Sequence, residues 1–466
     1  MDNKIIKNIS VSDFAAEGKS IARVDGKVIF IDNAVPGDIV DLIIFKEKKN
    51  FSEAKVGNFI KYSPDRVDAV CEHFGICGGC RWQNLDYKAQ LIFKQKQVED
   101  NFQRIAKMEI PEVLTIIPSD EVYFYRNKLE FSFSNYRFLT KEDDLIDRDS
   151  KNLSGLGFHI KKHFDKVLDI KKCYLQKEPS NDIRQFIKEY AQKNNLEFFD
   201  IRKGEGFSRT LIIRTSNLGE VMVILAFYYE NKENIEKLLN NLNEKFPDIT
   251  SLNYVINGKK NDTISDLEII AYRGKSYITE QMGDLKFKIG PKSFFQTNSK
   301  QALKMYEKVK EFAGIKNNEV VYDLYTGTGT IANFIAAQAI KVIGIEYLDT
   351  AIEDAKENSK INKIENTYFY SGDVLKILND EFIINNGAPD IIITDPPRAG
   401  MHPKVVEQIK KISSNKIIYV SCDAATQARD IALLADSYEI VKIQPIDMFP
   451  HTHHIENIVL LEKKNQ

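Results

Sequence analysis

DLYTGTGTIANFIA, residues 323–336, joins the end of an apolar strand to the start of a helix through a turn that contains Gly327 and Gly329. Glycine lets a backbone approach a ligand closely where a Cβ would collide. The spacing differs from the dinucleotide fingerprint GxGxxG, and no lysine followed by serine or threonine is present to hold a phosphate, as a P-loop requires. The stretch therefore predicts a ligand-binding turn at the end of a strand that is neither a dinucleotide-binding turn nor a P-loop.

The sequence around this turn alternates short apolar runs with helical segments from about residue 286 onward. The runs are VVYDLYT, KVIGIEY, NTYFYSGD, DIIITDPP and KIIYVSCD. Continuous apolar runs at such regular intervals are typical of parallel strands that helices cover on both faces. We therefore expect an α/β domain at residues 286–466, with a doubly wound, Rossmann-like sheet.

Three carboxylates follow successive strands of this predicted sheet: Glu346, Asp373 and Asp395. The carboxyl ends of parallel strands meet at one edge, where such folds bind ligands. A cluster of acids repels a di- or triphosphate but suits a cationic ligand with a ribose, and S-adenosylmethionine has both properties. The pattern favours a methyltransferase over a dehydrogenase. Each acid alone could instead cap a helix or face solvent, and for Asp373 the cap is an equally good interpretation.

A single cysteine, Cys422, lies after the strand KIIYVSCD and before a predicted helix at residues 423–430. A lone cysteine is most often a small buried side chain. At a helix start, however, the helix dipole can lower the pKa of a thiol, which favours a nucleophile. Addition of a thiolate to C6 of a uracil makes C5 nucleophilic enough to take a methyl group, which gives a reason to pair Cys422 with a methyl donor.

That reaction needs a base that removes the C5 proton, and Glu456 in MFPHTHHIENIVLLEK begins a final apolar strand where it could act as one. His451, His453 and His454 lie in the same stretch. A zinc site here is disfavoured, because the adjacent His453 and His454 are expected to point in different directions and no cysteine is near in the sequence. We expect a loop that closes over the substrate.

The N-terminal part of the chain predicts two further domains. Residues 1–60 alternate apolar and polar positions between turns, which indicates a small OB-like β-barrel. Its Lys46, Lys48 and Lys49 form either a basic edge for nucleic acid or a solvated hairpin tip. Residues 61–285 combine strands with helices, which indicates an α+β domain.

Composition and cysteine spacing restrict the class of protein. The chain has 466 residues, a net charge of −2 and five cysteines. No apolar run approaches the roughly 20 residues that cross a bilayer, and we expect a cytoplasmic protein with no membrane role. Cys71, Cys77 and Cys80 lie in the stretch CEHFGICGGC, far from Cys173. Clustered cysteines in a reducing compartment bind metal more often than they form disulfides, and by spacing alone a zinc ion and an iron–sulfur cluster are equally good interpretations.

These features together resemble one family. The barrel, the C-x5-C-G-G-C stretch with a distant fourth cysteine, and the motifs SFFQTN, DLYTGTGT, DPPRAG, SCDAATQARD and HTHHIEN follow one another in this order. The chain is similar in this respect to the bacterial iron–sulfur-containing RNA uracil-5-methyltransferases of the TRAM-domain type, which make 5-methyluridine in 23S ribosomal RNA. The resemblance extends over nearly the whole chain and implies the same S-adenosylmethionine-dependent reaction.

The resemblance also implies roles for particular residues. It implies Cys422 as the nucleophile and Glu456 as the base. The implied ligands of a [4Fe–4S] cluster are Cys71, Cys77, Cys80 and Cys173. The predicted S-adenosylmethionine site consists of Gln296, Tyr325, Gly327, Gly329, Glu346, Asp373 and Asp395. The chain departs from the family at Asp423-Ala424, where Asn-Pro is frequent, and a carboxylate next to Cys422 disfavours its thiolate.

The expected partner is RNA, whose target base is flipped out of its stack, and no protein partner is inferred. Arg126 and Lys128 are candidates for holding the RNA backbone. We expect 23S ribosomal RNA rather than transfer RNA, because minimal transfer-RNA enzymes usually lack the barrel and the cysteine cluster. One alternative is the same reaction on transfer RNA. Another is a redox-responsive RNA-binding protein without catalysis, against which the presence of Cys422, Glu456 and Asp395 argues.

Overall fold

A computed structural model describes most of the chain, namely residues 4–15, 17–140, 143, 153–160 and 163–465. The strands in these ranges form three large sheets and one two-stranded sheet. None of the helices in these ranges is long and apolar enough to cross a membrane.

The N-terminal sheet is built from six short strands. They are β1 Ile5–Ser10, β2 Asp13–Phe14, β3 Ser20–Val24, β4 Lys27–Asp32, β5 Ile39–Glu47 and β6 Phe51–Lys61. Their order in the sheet is β1-β5-β6-β4-β3-β2. Val40, Leu42 and Ile44 alternate along β5 and are buried, as the two-residue period of a strand requires. Just after β1, Ser12 N–H donates to the Ile21 carbonyl of β3 at 2.9 Å, which curls the sheet toward a barrel.

The hairpin between β5 and β6 carries the predicted basic edge. Lys46 forms an ion pair with Glu53, and Lys48 lies in the turn. The Nζ atoms of Lys46 and Lys48 each lie 6.0 Å from the centre of the Phe51 ring. The hairpin tip is therefore solvated and also presents cations beside an aromatic ring, a combination that suits single-stranded nucleic acid.

The central sheet has seven strands with helices against one face. The strands are β7 Lys128–Ser134, β8 Gly155–Ile160, β9 His163–Asp169, β10 Ser208–Thr215, β11 Val221–Phe227, β12 Ser251–Ile256 and β13 Ile270–Gly274, in the order β13-β12-β11-β10-β7-β8-β9. The helices of this part of the chain are α1 Tyr87–Ile105, α2 Ser180–Lys193 and α3 Lys232–Lys245. Phe131 of β7, Ile187 of α2 and Leu238 of α3 belong to one buried apolar cluster, so α2 and α3 cover this sheet.

The C-terminal part of the chain begins with a hairpin and continues as an α/β sheet. The hairpin strands are β14 Ile278–Met282 and β15 Leu285–Ile289, and the sheet strands are β16 Val320–Leu324, β17 Lys341–Glu346, β18 Thr367–Ser371, β19 Ile391–Thr394, β20 Lys416–Ser421, β21 Tyr438–Ile446 and β22 Glu456–Lys463. The helices are α4 Ser299–Ala313, α5 Thr330–Ile335, α6 Asp349–Ile361, α7 Val374–Ile377, α8 Asp380–Asn386, α9 Pro403–Ile412 and α10 Ala424–Ala432. The doubly wound α/β fold is confirmed by this alternation.

The strand order of this sheet is β18-β17-β16-β19-β20-β22-β21. The pairs among β16 to β20 are parallel, as the apolar runs predict. In contrast, β22 is antiparallel to both β20 and β21, because the chain returns from β21 through a loop instead of a crossover helix. That loop, residues 447–455, reaches the carboxyl edge of the sheet just before Glu456.

Helix α1 packs against the C-terminal sheet although it precedes the central one in the chain. Asp86 caps it by accepting a hydrogen bond from Lys88 N–H at 2.9 Å. Its Val98 and Phe102 belong to the same buried cluster as Tyr419 of β20 and Ala428 of α10. The predicted domain division at residues 1–60, 61–285 and 286–466 stays a prediction. Helix α1 belongs to the second of these ranges but packs against the sheet of the third.

Candidate active site

A cavity of about 1280 Å³ opens at the carboxyl edge of the C-terminal sheet, against the central sheet. The predicted site residues that line it are Gln296, Tyr325, Gly327, Glu346, Asp395, Cys422 and Glu456. The structure therefore brings residues from the carboxyl ends of four strands, the start of a fifth strand and one loop into a single crevice. The volume exceeds the upper end of the usual range for small-ligand sites, which leaves room for two ligands side by side.

The glycine turn forms one wall of this crevice. Tyr325, Gly327 and Gly329 all have left-handed backbones, with φ of 64°, 55° and 72°. A Cβ on Gly327 would meet no atom within 4 Å, so its backbone faces the open space of the crevice. A Cβ on Gly329 would lie 2.8 Å from Cβ of Ala355, so this glycine permits close packing against α6 and does not line the crevice.

Glu346 lies at the end of β17 beside that turn. Its Oε2 accepts a hydrogen bond from Gly327 N–H, and its Oε1 accepts one from Leu348 N–H, both at 3.1 Å. These two bonds fix the carboxylate plane and leave lone pairs on both oxygens that face the crevice. Glu346 is thus placed to accept hydrogen bonds from two vicinal hydroxyls.

The other two predicted carboxylates differ in position. Asp395 lines the crevice, and burial raises its pKa to about 7. Asp373 caps the short helix α7, where its side chain accepts a hydrogen bond from Leu375 N–H at 2.9 Å, and it does not line the crevice. It is near enough to Tyr325 for its charge to contribute to the raised pKa of that phenol. The cap interpretation therefore describes the contacts of Asp373, and its role in ligand binding stays a prediction.

Cys422 follows β20 and faces the crevice. The sequence predicted a lowered pKa for this thiol, and that prediction is wrong. Burial raises the pKa of Cys422 to about 12, helped by the nearby charges of Glu456 and Asp395, while Arg398 acts in the opposite direction. The N-terminus of α10 does not offset this, because its N–H groups are taken by Asp423, whose carboxylate accepts from Ala425 N–H and Thr426 N–H at 3.0 and 3.2 Å.

Glu456 begins β22, as predicted, and is 5% exposed. Burial, followed by the charge of Asp395, raises its pKa well above the ordinary value, and Arg398 opposes this shift. Arg398 also hydrogen-bonds to Nδ1 of His454 at 3.3 Å. Burial lowers the pKa of His454 to about 4, so its ring is neutral near pH 7 and can accept from the guanidinium.

The loop that carries Gln296 is fixed from the central sheet. Arg214 of β10 donates to the carbonyl of Ser293 at 2.8 Å. Asn127 donates from its side chain to the carbonyl of Gln296 at 2.9 Å and from its backbone to the carbonyl of Thr297 at 2.7 Å. The crevice thus has one wall from each of the two larger sheets.

Phe294 and Arg398 line the crevice and were not predicted from the sequence, whereas Phe449 and His454 belong to the loop that was expected to close over the substrate. Phe294 is 69% exposed, which is unusual for a phenylalanine and marks a ring available for stacking. Arg398 lies in the motif DPPRAG, so the motif gave a signal, but its proximity to Cys422 depends on the fold. Arg126 lines the same crevice, and its Nε atom is buried without a hydrogen-bond partner among the described residues.

The three histidines of the 447–455 loop do not form a metal site. The rings of His453 and His454 lie side by side, with centres 4.1 Å apart, so the prediction that they point in different directions is wrong. No group of three or more His, Cys, Asp or Glu side chains among the described residues is arranged to hold a metal ion.

The remaining four cysteines line a second cavity of about 460 Å³, which we call the four-cysteine cavity; its sulfur-bearing residues are Cys71, Cys77, Cys80 and Cys173. Arg126 and Thr452 line it as well, so it lies next to the crevice. Burial raises the pKa of Cys80 to about 12 and that of Cys173 to about 11. The structure thus brings Cys173 to the cysteine stretch across a long span of sequence.

Groups that can donate a hydrogen bond lie beside each sulfur in the four-cysteine cavity, where they oppose the effect of burial on the thiol pKa. Backbone N–H groups of His73 and Phe74 reach Cys71, Leu175 N–H reaches Cys173, and Gly79 N–H lies 3.5 Å from Sγ of Cys77. The side chain of Gln83 bonds to Cys80 and accepts from Cys71 N–H at 3.1 Å. Donors aimed at sulfur favour the thiolate, which is the form that binds metal.

Comparison with known proteins identifies the family to which these features belong. The sequence profile of the family described as tRNA (Uracil-5-)-methyltransferase matches residues 212–464, and the profile of the TRAM domain matches residues 6–56. An uncharacterized RNA methyltransferase of Bacteroides thetaiotaomicron is 52% identical over 451 residues, which cover 96% of this chain and 99% of that protein. One from Porphyromonas gingivalis is 50% identical over 465 residues, with 98% and 100% covered.

A solved structure is similar over almost the full length. It is the tRNA (uracil-54, C5)-methyltransferase of Pyrococcus abyssi in complex with S-adenosyl-L-homocysteine, with 28% identity, a TM-score of 0.74, and 97% of this chain and 99% of that chain covered. The predicted TRAM domain and S-adenosylmethionine-dependent fold are thereby confirmed. The chain belongs to the tRNA (uracil-5-)-methyltransferase family and is an RNA uracil-5-methyltransferase that uses S-adenosylmethionine.

Proposed function

We propose that the enzyme methylates C5 of uridine in 23S ribosomal RNA through a covalent bond between Cys422 and C6 of the uracil. The observation that carries this proposal is the shared crevice: Cys422 and Glu456 face the same space as Glu346 and Asp395. A nucleophile, a base and a ribose-binding carboxylate in one cavity are what the reaction requires. Its volume accommodates a methyl donor and a flipped base together.

The residues that would hold S-adenosylmethionine are Gln296, Tyr325, Gly327, Glu346 and Asp395. The open space at Gly327 supports this placement, because a side chain there would fill the cradle between the turn and Glu346. Carboxylates around the crevice suit a sulfonium cation. The bound cofactor supplies the methyl group that is transferred to C5. We propose that Gly329 and Asp373 support this site without lining it. Gly329 allows α6 to pack closely, and Asp373 caps the start of α7.

The protein's own residues would act in two steps. Cys422 gives its proton to solvent water and its Sγ bonds to C6, which places the electron pair of the C5–C6 double bond on C5 and O4 so that C5 can take the methyl group. Glu456 then removes the C5 proton, the double bond re-forms, and the C6–Sγ bond breaks to release Cys422 as a thiolate. The raised pKa of Glu456 supports its role as base, because an ionised carboxylate in that environment holds a proton strongly.

We further propose that the four-cysteine cavity holds a [4Fe–4S] cluster. Donors beside its sulfurs, among them Gly79 N–H at 3.5 Å from Sγ of Cys77, would stabilise the thiolates that bind such a cluster. A zinc ion needs its sulfurs about 2.3 Å from one point, whereas a cluster occupies the space between its ligands. The four cysteines line one cavity, and the resemblance to the iron–sulfur-containing family supports the cluster over zinc. When bound, it would tie Cys173 to the Cys71–Cys80 stretch.

Transfer RNA is the second candidate substrate, and one observation favours it. The transfer-RNA enzyme of Pyrococcus abyssi matches this chain over 97% of its length, so a barrel and a central domain do not by themselves indicate ribosomal RNA. The cysteine stretch and the ordered motifs of the chain support the ribosomal substrate through the resemblance described above.

The test is methyl transfer from labelled S-adenosylmethionine to total RNA of cells that lack this gene, with the anaerobically purified enzyme and the labelled uridines mapped. The expected result is 5-methyluridine in large-subunit RNA with wild-type protein and none with Cys422→Ala. Label in transfer RNA would support the second candidate and overturn the first. Methylation that persists in Cys422→Ala would contradict the covalent mechanism on either substrate.

A further inference from the structure

The loop at residues 447–455 carries Phe449 and His454 into the crevice and leads directly into Glu456. One of its residues, His451, is a non-glycine with a left-handed backbone, at φ 64°. Such a conformation persists only where surrounding contacts hold it. The contacts that hold this loop come largely from α1, a helix whose residues line neither the crevice nor the four-cysteine cavity.

The first contact is a buried ion pair. Nζ of Lys94 lies 2.6 Å from Oδ1 of Asp447, and both side chains are fully buried. Nζ of Lys94 also donates to the Phe449 carbonyl at 3.0 Å, while Phe449 N–H donates to the same Asp447 oxygen at 3.0 Å. Tyr87 donates its hydroxyl proton to the other Asp447 oxygen at 3.0 Å. Lys94 of α1 therefore holds Asp447 and Phe449, while Asn298 donates to the Met448 carbonyl between them at 3.1 Å.

The second contact is made by Gln90, one turn earlier on α1. Its Oε1 accepts a hydrogen bond from His451 N–H at 2.8 Å. Its Nε2 donates to the carbonyls of Trp82 and Leu85 at 3.0 and 2.8 Å. The His451 carbonyl in turn accepts from Arg81 N–H and Trp82 N–H at 2.8 and 3.0 Å. Gln90 therefore joins the backbone that follows Cys80 to the strained residue of the loop.

Neither side chain makes a polar contact with the cofactor wall of the crevice. Their hydrogen bonds go to the 447–455 loop and to the segment at Trp82 and Leu85. Cys422, Glu346 and Asp395 follow strands of the sheet and are held by other contacts. A change at Gln90 or Lys94 should therefore displace Glu456 while it leaves the nucleophile and the cofactor site in place.

We propose that Gln90 and Lys94 are positioning residues for Glu456, and that they act on removal of the C5 proton. The inference rests on the proposed role of Glu456 as base. If the loop shifts, Cys422 still adds to C6 and C5 still takes the methyl group, but the C5 proton leaves slowly. The methylated RNA then stays attached to Cys422.

The experiment is a single turnover with enzyme in excess over RNA and labelled S-adenosylmethionine. Methyl incorporation is measured beside the fraction of methylated RNA that runs with protein on a denaturing gel. For Gln90→Leu we expect incorporation within about threefold of wild type and decay of the attached species slowed by about tenfold or more, since general bases contribute about 10²- to 10⁴-fold. Gln103→Leu, on the exposed side of α1, is the matched control and should behave as wild type.

Lys94→Met alone leaves Asp447 buried without its cation and risks misfolding. The double variant Lys94→Met/Asp447→Asn removes both charges and keeps an acceptor for Phe449 N–H, so it tests the same contact in a folded protein. We expect the same persistent adduct, with Lys88→Met on the exposed side of α1 as control.

Two results would overturn the inference. Gln90→Leu and the double variant could lose incorporation and adduct together, which indicates a general structural role, or their adducts could decay at the wild-type rate. Glu456→Gln serves as the reference, because it should trap the methylated adduct almost completely. If Glu456→Gln releases its RNA normally, the role proposed for Glu456 is itself wrong, and the positioning inference fails with it.

Discussion

Two sets of cysteines in this enzyme differ in what surrounds their sulfur atoms. In the four-cysteine cavity, backbone N–H groups and the side chain of Gln83 lie beside the sulfurs as hydrogen-bond donors. In the crevice, Cys422 has carboxyls around it and one guanidinium, Arg398. Burial raises the pKa in both places, to about 12 for Cys80 and for Cys422; neighbouring donors act against burial in the first set, and the charge of Arg398 acts against it in the second.

The difference shows how one residue type supports two kinds of chemistry. A permanent metal ligand needs a thiolate that is stabilised at all times, and fixed donors provide this. A nucleophile that must leave again needs a thiolate that is not over-stabilised, because a thiolate held too strongly attacks slowly. The raised pKa of Cys422 near Glu456 fits a thiol that is deprotonated only when substrate is bound.

The largest expected effect comes from removing the nucleophile. Cys422→Ala should lower methyl transfer by about 10⁴-fold or more, as loss of a catalytic nucleophile does. Iron content and the thermal unfolding midpoint should stay at the wild-type values, because Cys422 does not line the four-cysteine cavity. Loss of iron from the Cys422→Ala protein would contradict the proposal that Cys422 and the four cysteines of the cavity have independent roles.

The converse change is Cys80→Ser. It removes one of four thiolates in the cavity, and we expect iron and acid-labile sulfide to fall from about four of each per chain to below about one. In the same protein, Cys422 should be alkylated at the wild-type rate, as measured by peptide mass spectrometry. Full retention of iron would contradict the proposed ligand set.

The pH dependence of Cys422 gives an intermediate effect. Its pKa is raised to about 12, so the thiolate fraction should increase about tenfold per pH unit from pH 7 to 10, with no plateau. The rate of iodoacetamide alkylation at this residue should follow that slope in the RNA-free enzyme. Glu456→Gln should alkylate faster at each pH, because it removes the carboxyl group whose charge contributes most to the raised pKa of Cys422. A plateau near pH 8 would show an ordinary or lowered pKa.

The smallest effect is expected at Gln83, which bonds to Cys80 and to the backbone of Cys71. Gln83→Leu keeps all four thiolates but removes a hydrogen bond to a charged sulfur, which contributes about 1.5–3 kcal/mol. Loss of iron to a chelator in air should become about tenfold faster, with unchanged iron content under anaerobic conditions. An unchanged rate would mean that the donors do not stabilise the thiolates.

Local patterns predicted most of the C-terminal fold. Five parallel strands, the glycine turn and Glu456 at the start of the last strand all follow from periodicity and turn chemistry in short windows. The antiparallel β22 and the packing of α1 on α10 did not, because both depend on where distant parts of the chain meet. The amphipathic pattern of α1 predicted a buried face without indicating which sheet covers it.

The site residues divide in the same way. Carboxylates at strand ends predicted the position of Glu346 and Asp395, since strand topology alone brings them together. The pKa of Cys422 could not be predicted from the helix that follows it, because Glu456 and Asp395 approach it only in the fold. Arg398 was missed for the same reason: its hydrogen bond to His454 joins two loops that are far apart in the sequence.

The most direct test of this account is to identify which cysteine bonds to RNA. The Glu456→Gln protein is mixed with target RNA and S-adenosylmethionine, denatured, digested with nuclease and protease, and analysed by peptide mass spectrometry. The account predicts methylated uridine on the peptide that contains Cys422 and on no other cysteine. A methylated uridine on a peptide of the four-cysteine cavity, or complete methylation with no adduct on any cysteine, would contradict it.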